Sequence, residues 1–267
     1  MTRVIVHAGY HKTGTTSLQD FLSDNKALLA PCLRYYGKAD FRQAGAHARI
    51  YAQKPFPWRL ARFRRSLRRF LRDVPEGGVV VLSREAFSGG MPGHRRMGGA
   101  LMTSYFGPGL RLARVIIAEL RRRFGQDVDI TFFYTTRARE DWIRSVYGHL
   151  LRSIRLTDDF DTFRARFPAL ASPEEEAQRM RGALAPVPVV TAALEAYADH
   201  REGPAAALLD LVGVPGDLRA RLKPARRSNR GQDTDLQAEF LEINRRGGSR
   251  AALKAAKEKL LREARND

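Results

Sequence analysis

The sequence is poor in several features that would restrict where and how the protein works. It has a single cysteine, Cys32, so no disulfide can form within the chain. No apolar run approaches the ~18 residues that a membrane-spanning helix needs. No basic segment followed by a signal-type apolar stretch precedes the first predicted strand. Together these absences make the cytoplasm the expected compartment.

Acidic residues are scarce relative to basic ones, with 29 Asp and Glu against 47 Lys and Arg and a net charge of +18. This surplus favours an anionic ligand or surface: a nucleotide, an acidic polysaccharide, a nucleic acid or an anionic lipid. The net charge does not distinguish among these anionic partners. A proteome rich in arginine would give the chain the same surplus of positive charge. The length of 267 residues, 43% of them apolar, suits one large α/β domain with a sizeable core.

Residues 4–17 carry the most informative pattern. An apolar run typical of a buried strand is followed by a loop with Gly9 and Gly14, and then by apolar residues at helical spacing. Glycines let the backbone approach an anion, while successive N–H groups and the helix N-terminus supply partial positive charge. The two glycines have the spacing of the Walker loop, but Thr15 stands where that loop has its lysine. The lysine here, Lys12, lies inside the loop.

This arrangement resembles the 5′-phosphosulfate loop of sulfotransferases. In that loop a proline or histidine precedes lysine, serine or threonine, glycine, threonine, and serine or threonine, and residues 11–16 fit every position. Those enzymes use 3′-phosphoadenosine 5′-phosphosulfate (PAPS) as sulfuryl donor. The alternative is a tight strand–helix turn rich in glycine and threonine. The resemblance implies that the donor is bound by His11, Lys12, Thr13, Gly14, Thr15, Thr16 and Ser17.

Two residues are candidates for the base that takes the acceptor's proton. Glu85 follows a second apolar strand, residues 79–83, and parallel sheets bind ligands beyond the carboxyl ends of their strands. With the serine two positions earlier, it resembles the S-x-E segment of many bacterial and polysaccharide sulfotransferases. His47 lies in residues 31–58, a stretch predicted to be irregular. Glu85 is the first choice and His47 the second; a salt-bridged glutamate and a packed histidine are the alternatives.

A second motif follows the next apolar strand, residues 130–136. Arg137 stands at the strand end, and Ser145 lies eight residues later, about two helical turns along. This resembles the sulfotransferase 3′-phosphate motif R-x-P-x-(D/E)-x-x-x-S-x-Y, in which Asp141 and Tyr147 also match, although an arginine replaces the proline. An arginine fork and a serine hydroxyl suit phosphate oxygens. The resemblance therefore implies that Arg137 and Ser145 bind the 3′-phosphate; the alternative is an ordinary amphipathic helix.

The last part of the chain is less distinctive. A basic loop over residues 223–231 loosely resembles the family's loop that closes over the 3′-phosphate, with Arg227, Asn229 and Arg230 as candidates. A solvated linker is the alternative. Residues 233–267 are predicted to form a helical C-terminal extension. Its strongly basic last helix could pack on the core, pair with a second subunit or lie on an anionic membrane surface.

Strands alternate with helices along the chain, which predicts an α/β fold with a central parallel sheet flanked by helices on both faces. The resemblance implies a P-loop NTPase-like three-layer sandwich and a single sulfotransferase-like domain over residues 1–267. It also implies sulfuryl transfer from PAPS, leaving 3′-phosphoadenosine 5′-phosphate (PAP), with Lys12 as the electrostatic catalyst and no metal required. The expected acceptor is anionic or a carbohydrate, and the group that takes the sulfuryl is expected to be a hydroxyl or amine of a carbohydrate, glycolipid or surface-polysaccharide precursor. No specific nucleic acid is expected, and peripheral membrane contact and homo-oligomer formation are left open.

Two other classes of function stay open. A P-loop kinase or other nucleotide-binding enzyme is favoured by the spacing of Gly9 and Gly14 and opposed by the position of Lys12; it would bind ATP with Mg²⁺. A non-enzymatic binder of an anionic polymer is favoured by charge alone. Its affinity would fall steeply with salt and would survive the loss of Lys12.

Overall fold

The computed structural model describes residues 1–226 and 234–266. The described residues form two compact units. The first unit holds residues 1–138 and 171–226, and the second holds residues 139–170 and 234–266. A single domain over residues 1–267 stays a prediction.

The first unit is built on a five-stranded sheet in which every pairing is parallel. The strands lie in the order β2-β3-β1-β4-β5, so β1 is central. The predicted α/β class with a parallel sheet is confirmed. The strands are β1 (Thr2–His7), β2 (Arg34–Tyr36), β3 (Gly78–Ser83), β4 (Asp129–Thr136) and β5 (Val189–Ala193).

Helices join these strands. In the first unit they are α1 (Thr15–Asp24), α2 (Lys26–Leu29), α3 (Arg42–Gln53), α4 (Pro57–Arg72), α5 (Phe106–Phe124), α8 (Pro173–Leu184), α9 (Ala206–Val212) and α10 (Gly216–Arg221). Short 3-10 helices cover Glu85–Ser88, Leu194–Tyr197 and Gly203–Ala205.

Both faces of the sheet are buried. Ile5, Val81 and Phe133 lie in one core cluster with apolar side chains of α1 and α9. Successive residues of a strand point to opposite faces, and Val4 and Val6 are also fully buried. Burial on both faces explains why the strands read as continuous apolar runs rather than as an alternating pattern.

The prediction that residues 31–58 are irregular is wrong. This stretch contains β2, all of α3 and the start of α4, so His47 lies on a helix. The buried positions of α3 have helical spacing, but most are alanine or glycine: Ala44, Gly45, Ala48, Tyr51 and Ala52. An amphipathic helix is recognised in a sequence by large apolar side chains at helical spacing. The buried positions of α3 hold mostly small residues, so the sequence did not predict this helix.

Helix α4 packs on α5 around the buried carboxylate of Glu119. Arg68 donates two hydrogen bonds to this carboxylate, both 2.9 Å long, and Arg122 donates another of 3.0 Å. Burial would raise the pKa of Glu119, but the hydrogen bonds from these arginines outweigh it and hold the pKa below its usual value. Arg68, one of the many arginines of α4, therefore has a structural role, because it joins α4 to α5. The outer face of α4 carries exposed residues at helical spacing: Trp58, Arg62, Arg65, Arg69 and Arg72.

The second unit is helical in its described part. It contains α6 (Arg139–Ser153), α7 (Phe160–Ala165), α11 (Thr234–Arg246) and α12 (Arg250–Asn266). Its core includes Trp142, which is fully buried, and Phe240. The ammonium of Lys257 on α12 donates to the carbonyl oxygens of Leu151 (2.6 Å) and Ile154 (2.9 Å) at the end of α6. The last helix is thus packed within its own unit, and burial lowers the pKa of Lys257.

Ile154 follows directly after α6, which ends at Ser153, and is 37% exposed. Within residues 1–226 and 234–266, none of the helices combines the length and the apolar character needed to cross a bilayer.

The histidine at the end of β1 should make the fold sensitive to acid. His7 is fully buried, and this burial lowers its pKa from 6.5 to about 3. Between those values the unfolded chain binds a proton that the native state does not. The free energy of unfolding should therefore fall as the pH drops below 6.5, by up to ~1.4 kcal/mol per pH unit.

The slope can be measured by urea unfolding between pH 7.5 and pH 5, a range above the titration of ordinary carboxylates. His7→Asn keeps a polar atom near the position of Nδ1, which lies 2.7 Å from Ser83 Oγ. It should reduce the slope and leave the share that comes from His94, because burial also lowers the pKa of His94. His200→Asn, at an exposed site, is the matched control and should leave it unchanged. Equal slopes in wild type and His7→Asn would contradict the assignment.

Candidate functional site at the carboxyl edge of the sheet

Apart from His47, the predicted site residues of the first unit lie where the central strands end. His7, the last residue of β1, is paired with Ser83 of β3 and Phe133 of β4, so the three strands end close to the same edge. The Lys12 loop follows β1, Glu85 follows β3, and Arg137 follows β4. Because β1 has β3 on one side and β4 on the other, the chain switches direction here. Open parallel sheets bind ligands at such a switch point.

The backbone of the loop after β1 has two left-handed residues. Gly14 has φ +85°, and Lys12 has φ +70°. Lys12 is the only non-glycine residue with positive φ in the described chain, and such a residue costs roughly 1–2 kcal/mol. Strained backbone that persists is typical of binding and catalytic sites. Left-handed residues within a turn also direct successive N–H groups into an anion-binding concavity.

Threonine hydroxyls hold this loop in shape. Thr13 Oγ1 donates to the carbonyl oxygen of Tyr10 (2.8 Å) and lies 2.8 Å from Thr135 Oγ1 at the end of β4. Thr15 Oγ1 donates to the same carbonyl over 3.0 Å. The side-chain hydroxyls of Thr13 and Thr15 therefore already form hydrogen bonds within the protein. Their backbone N–H groups are the parts of these residues suited to an anion.

Helix α1 begins directly after this loop. Its N-cap is Gly14, which provides no side-chain hydrogen bond to the first turn. A Cβ atom at Gly14 would lie 2.7 Å from Cδ1 of Leu194, so a side chain here would displace the end of the leucine side chain. The first N–H groups of a helix have no intrahelical acceptor and carry partial positive charge. Thr16 is exposed and Ser17 half-buried at this end of α1.

Aromatic side chains surround the loop. The ring of Tyr10 packs between Tyr105 and Tyr134, with centroid distances of 4.7 and 4.9 Å. The hydroxyl of Tyr105 lies 3.5 Å from His11 Nδ1. Tyr105 was not identified from the sequence, because it lies in a Gly- and Met-rich segment without a recognisable motif. It is fixed by Glu176, which accepts a 3.1 Å hydrogen bond from its backbone N–H.

Glu85 opens the short helix after β3 and is half-buried. Burial raises its pKa, and the positive charges of Arg84, Lys38 and Lys12 oppose that rise. The carboxylate therefore lies within electrostatic reach of the Lys12 ammonium. A carboxylate whose pKa is raised by burial is better matched to a general base than an exposed one.

His47 is held between two helices. Its Nδ1 lies 2.6 Å from Ser66 Oγ on α4, and Ser66 donates its own proton to the carbonyl oxygen of Arg62 over 2.9 Å. The His47 Nδ1–H is therefore the donor to Ser66. This bond gives His47 a packing role between α3 and α4, which was the alternative considered for it.

The predicted 3′-phosphate residues belong to different units. Arg137 is half-buried after β4 in the first unit, while Ser145 is half-buried on α6 in the second. Within the second unit, Tyr147 donates its hydroxyl to the carbonyl oxygen of Asp158 over 3.0 Å. Arg139, at the position of the family's proline, donates to the carbonyl oxygen of Leu170 over 3.2 Å.

The basic loop is described only as far as residue 226. Arg226 forms an ion pair with Asp24 on α1, with a 2.9 Å separation. Arg227, Asn229 and Arg230 lie outside the described residues. Across residues 1–226 and 234–266, no group of three or more His, Cys, Asp or Glu side chains is placed to hold a metal ion.

Comparisons with known proteins add no family to this description. No protein-family model matches the chain, and no curated protein matches it either. What the site can do chemically therefore follows from the Lys12 loop, the α1 N-terminus and Glu85.

Proposed function

We propose that this protein is a sulfotransferase that moves the sulfuryl group of PAPS to a hydroxyl or amine of an acceptor. The observation that carries the proposal is the left-handed Lys12, on the loop between β1 and α1 and within electrostatic reach of Glu85. The proposal is supported by a cation, a backbone suited to an anion and a candidate base that all lie at one edge of the sheet. The supporting sequence pattern is the resemblance of residues 11–16 to the 5′-phosphosulfate loop.

The proposed reaction is an in-line displacement. The acceptor oxygen forms a bond to sulfur, the bond from sulfur to the bridging oxygen breaks, and PAP leaves with the electron pair. Lys12 would neutralise the charge that develops on the bridging oxygen, and the N–H groups of Thr13 to Ser17 would bind the 5′-phosphate. Glu85 would take the proton of an acceptor hydroxyl. Positioning and electrostatics would then provide most of the catalysis.

The finer features of the proposal rest on the sequence resemblance. They are a P-loop NTPase-like three-layer sandwich, Arg137 and Ser145 as the 3′-phosphate ligands, and a carbohydrate, glycolipid or polysaccharide precursor as acceptor. The central position of β1 and the loop between β1 and α1 support the sandwich. A cytoplasmic location belongs to the same proposal.

A P-loop kinase is the second candidate, favoured by the spacing of Gly9 and Gly14. The side chain at the position of the Walker lysine, Thr15, donates to the carbonyl oxygen of Tyr10 and carries no charge. We expect PAP to raise the melting temperature without metal and ATP with Mg²⁺ to leave it unchanged, because only a ligand of the native state stabilises it. Stabilisation by ATP with Mg²⁺ alone would favour the kinase instead.

Replacing the loop lysine should damage turnover more than donor binding. Lys12→Ala removes the charge that matters most as the bridging oxygen becomes negative, and kcat should fall by about 10²–10³. Single-turnover transfer from labelled PAPS measures this loss, and calorimetry with PAP measures binding. Lys254→Ala, at a side chain that is 75% exposed, is the matched control and should transfer normally. A fully active Lys12→Ala would refute the role.

The two candidate bases can be separated by substitution. Glu85→Gln should lose most of its turnover and still bind PAP, while His47→Ala should retain more activity, because His47 is bonded to Ser66. The wild-type rate should fall as the pH drops through the raised pKa of Glu85, since the base must be ionised. Glu85→Gln should lack that dependence. If only His47→Ala is inactive, the two roles must be exchanged.

A further inference from the structure

Much of the chain's surplus of positive charge lies in one segment, residues 41–72. This segment contains α3, the turn after it and α4, and it holds ten basic residues but no Asp or Glu. It therefore contributes +10 of the chain's net charge of +18. The basic residues are Arg42, Arg49, Lys54, Arg59, Arg62, Arg64, Arg65, Arg68, Arg69 and Arg72.

The arginines of α4 fall into two groups according to their partners. Arg64 and Arg68 form ion pairs with Glu119 of α5, over 3.7 and 2.9 Å. Four others are exposed on the face opposite the buried apolar side chains of α4, and none of them forms an ion pair within the described part of the chain. We call these four the arginine stripe, and they are Arg62, Arg65, Arg69 and Arg72.

The arginine stripe follows the spacing of an α-helix. Its members are three, four and three residues apart, which keeps their side chains on one face of α4. With a rise of 1.5 Å per residue, the four positions span about 15 Å. Trp58 lies four residues before Arg62 and extends the same face to the start of the helix. The stripe is thus a continuous exposed face with an aromatic ring at one end.

Exposed apolar side chains lie around the turn between α3 and α4. The described chain has five large apolar residues that are exposed, and three of them lie here: Ile50, Trp58 and Met97. Ile50 is in the last turn of α3, and Trp58 is in the first turn of α4. The backbone N–H of Met97 donates to the carbonyl oxygen of Gln53, the last residue of α3, over 3.2 Å. We call these three residues the apolar end of the stripe.

The exposed ring of Trp58 is held in position. It stacks on Phe56 with a centroid distance of 4.3 Å and an angle of 7° between the planes. The guanidinium of Arg59 lies 5.8 Å from the centre of the same Phe56 ring. Phe56 stands between Pro55 and Pro57, whose rings restrict the backbone of the turn. A ring that is already ordered loses little conformational entropy when a partner covers it.

We propose that the arginine stripe and its apolar end dock on an anionic lipid bilayer. The guanidinium groups bind lipid phosphates, and Trp58 lies at the level of the headgroups, where tryptophan is enriched. The apolar face of α4 is buried within the protein, so the helix contacts the bilayer through its basic face. Binding of this kind is peripheral and is weakened by salt. The inference stands apart from the proposed function, because the proposed reaction uses none of these residues.

A nucleic acid is the other anionic surface that a row of arginines would suit. Its phosphates and base edges form mainly polar contacts with proteins. Exposed aliphatic side chains gain free energy by leaving water for the boundary between headgroups and acyl chains. Ile50 and Met97, beside Trp58, therefore favour the bilayer. Nucleic acid is the competing outcome of the test.

Co-sedimentation of the full chain with vesicles tests the proposal. One set of vesicles contains phosphatidylcholine alone, and the other contains phosphatidylcholine and phosphatidylglycerol in equal amounts. The anionic vesicles should bind the chain about 10²–10³-fold more tightly at low salt, because each arginine near an anionic surface contributes about fivefold. Raising the ionic strength should reduce this preference. Equal binding to both compositions would overturn the proposal.

Paired substitutions assign the binding to α4. Arg62→Gln together with Arg69→Gln removes two charges seven residues apart and should weaken binding to the anionic vesicles by roughly 25-fold. Arg114→Gln together with Arg121→Gln, also seven residues apart but on α5 beside the end of α8, is the matched control. It should bind nearly as tightly as the wild type. Equal losses in the two variants would show general charge attraction instead of docking through α4.

Trp58→Ser tests the apolar end without changing the net charge. It should weaken binding to the anionic vesicles by about tenfold at low and at high salt, because salt does not screen the burial of an apolar ring. Vesicle binding equal to that of the wild type would contradict the proposal. So would a duplex DNA oligonucleotide that binds the chain more tightly than the anionic vesicles at the same concentration of phosphate. Melting temperatures, measured in parallel, show which variants fold like the wild type.

Discussion

The arrangement of the site depends on one acceptor, the carbonyl oxygen of Tyr10. Two threonine hydroxyls, from Thr13 and Thr15, converge on this atom, and Thr13 also reaches Thr135 on the neighbouring strand. These bonds tie the loop to the sheet and offset the cost of a left-handed Lys12. A loop held by its side chains keeps its backbone N–H groups for a ligand. Threonine provides the hydroxyls that hold the loop, and glycine tolerates its left-handed backbone, which explains why these two residue types dominate the segment.

The sheet could be predicted from the sequence because its strands are buried on both faces. Residues 79–83 and 130–136 are short apolar runs rich in β-branched and aromatic side chains, and both became strands. Helix α3 could not be predicted in the same way. Its buried face is made of alanine and glycine, and these pack closely on the segment after β3 without giving an apolar signal. An interface made of small residues leaves no apolar pattern in the sequence, whereas an interface made of large apolar residues does.

The position of a candidate site residue could be predicted from the sequence only where the order of the strands along the chain determines it. Glu85 follows a strand, and the rule for parallel sheets places such a residue at the ligand edge. The positions of Arg84 and Tyr105 depend on partners distant in sequence, Gly45 for the first and Glu176 for the second. His47, the second candidate base, lies 2.6 Å from Ser66 Oγ on α4, a contact between residues 19 positions apart that no sequence pattern indicated. The sequence suggests candidates from side-chain chemistry, and only the structure gives their contacts.

The chain has two tryptophans, and each compact unit holds one of them. Trp58 is 56% exposed and stacks on Phe56 with a centroid distance of 4.3 Å, whereas Trp142 is fully buried among the helices of the second unit. Their emission spectra should therefore differ in the native protein. Intrinsic fluorescence then gives each unit its own optical signal, red-shifted for the first and blue-shifted for the second. The order in which the units unfold can be followed without any added label.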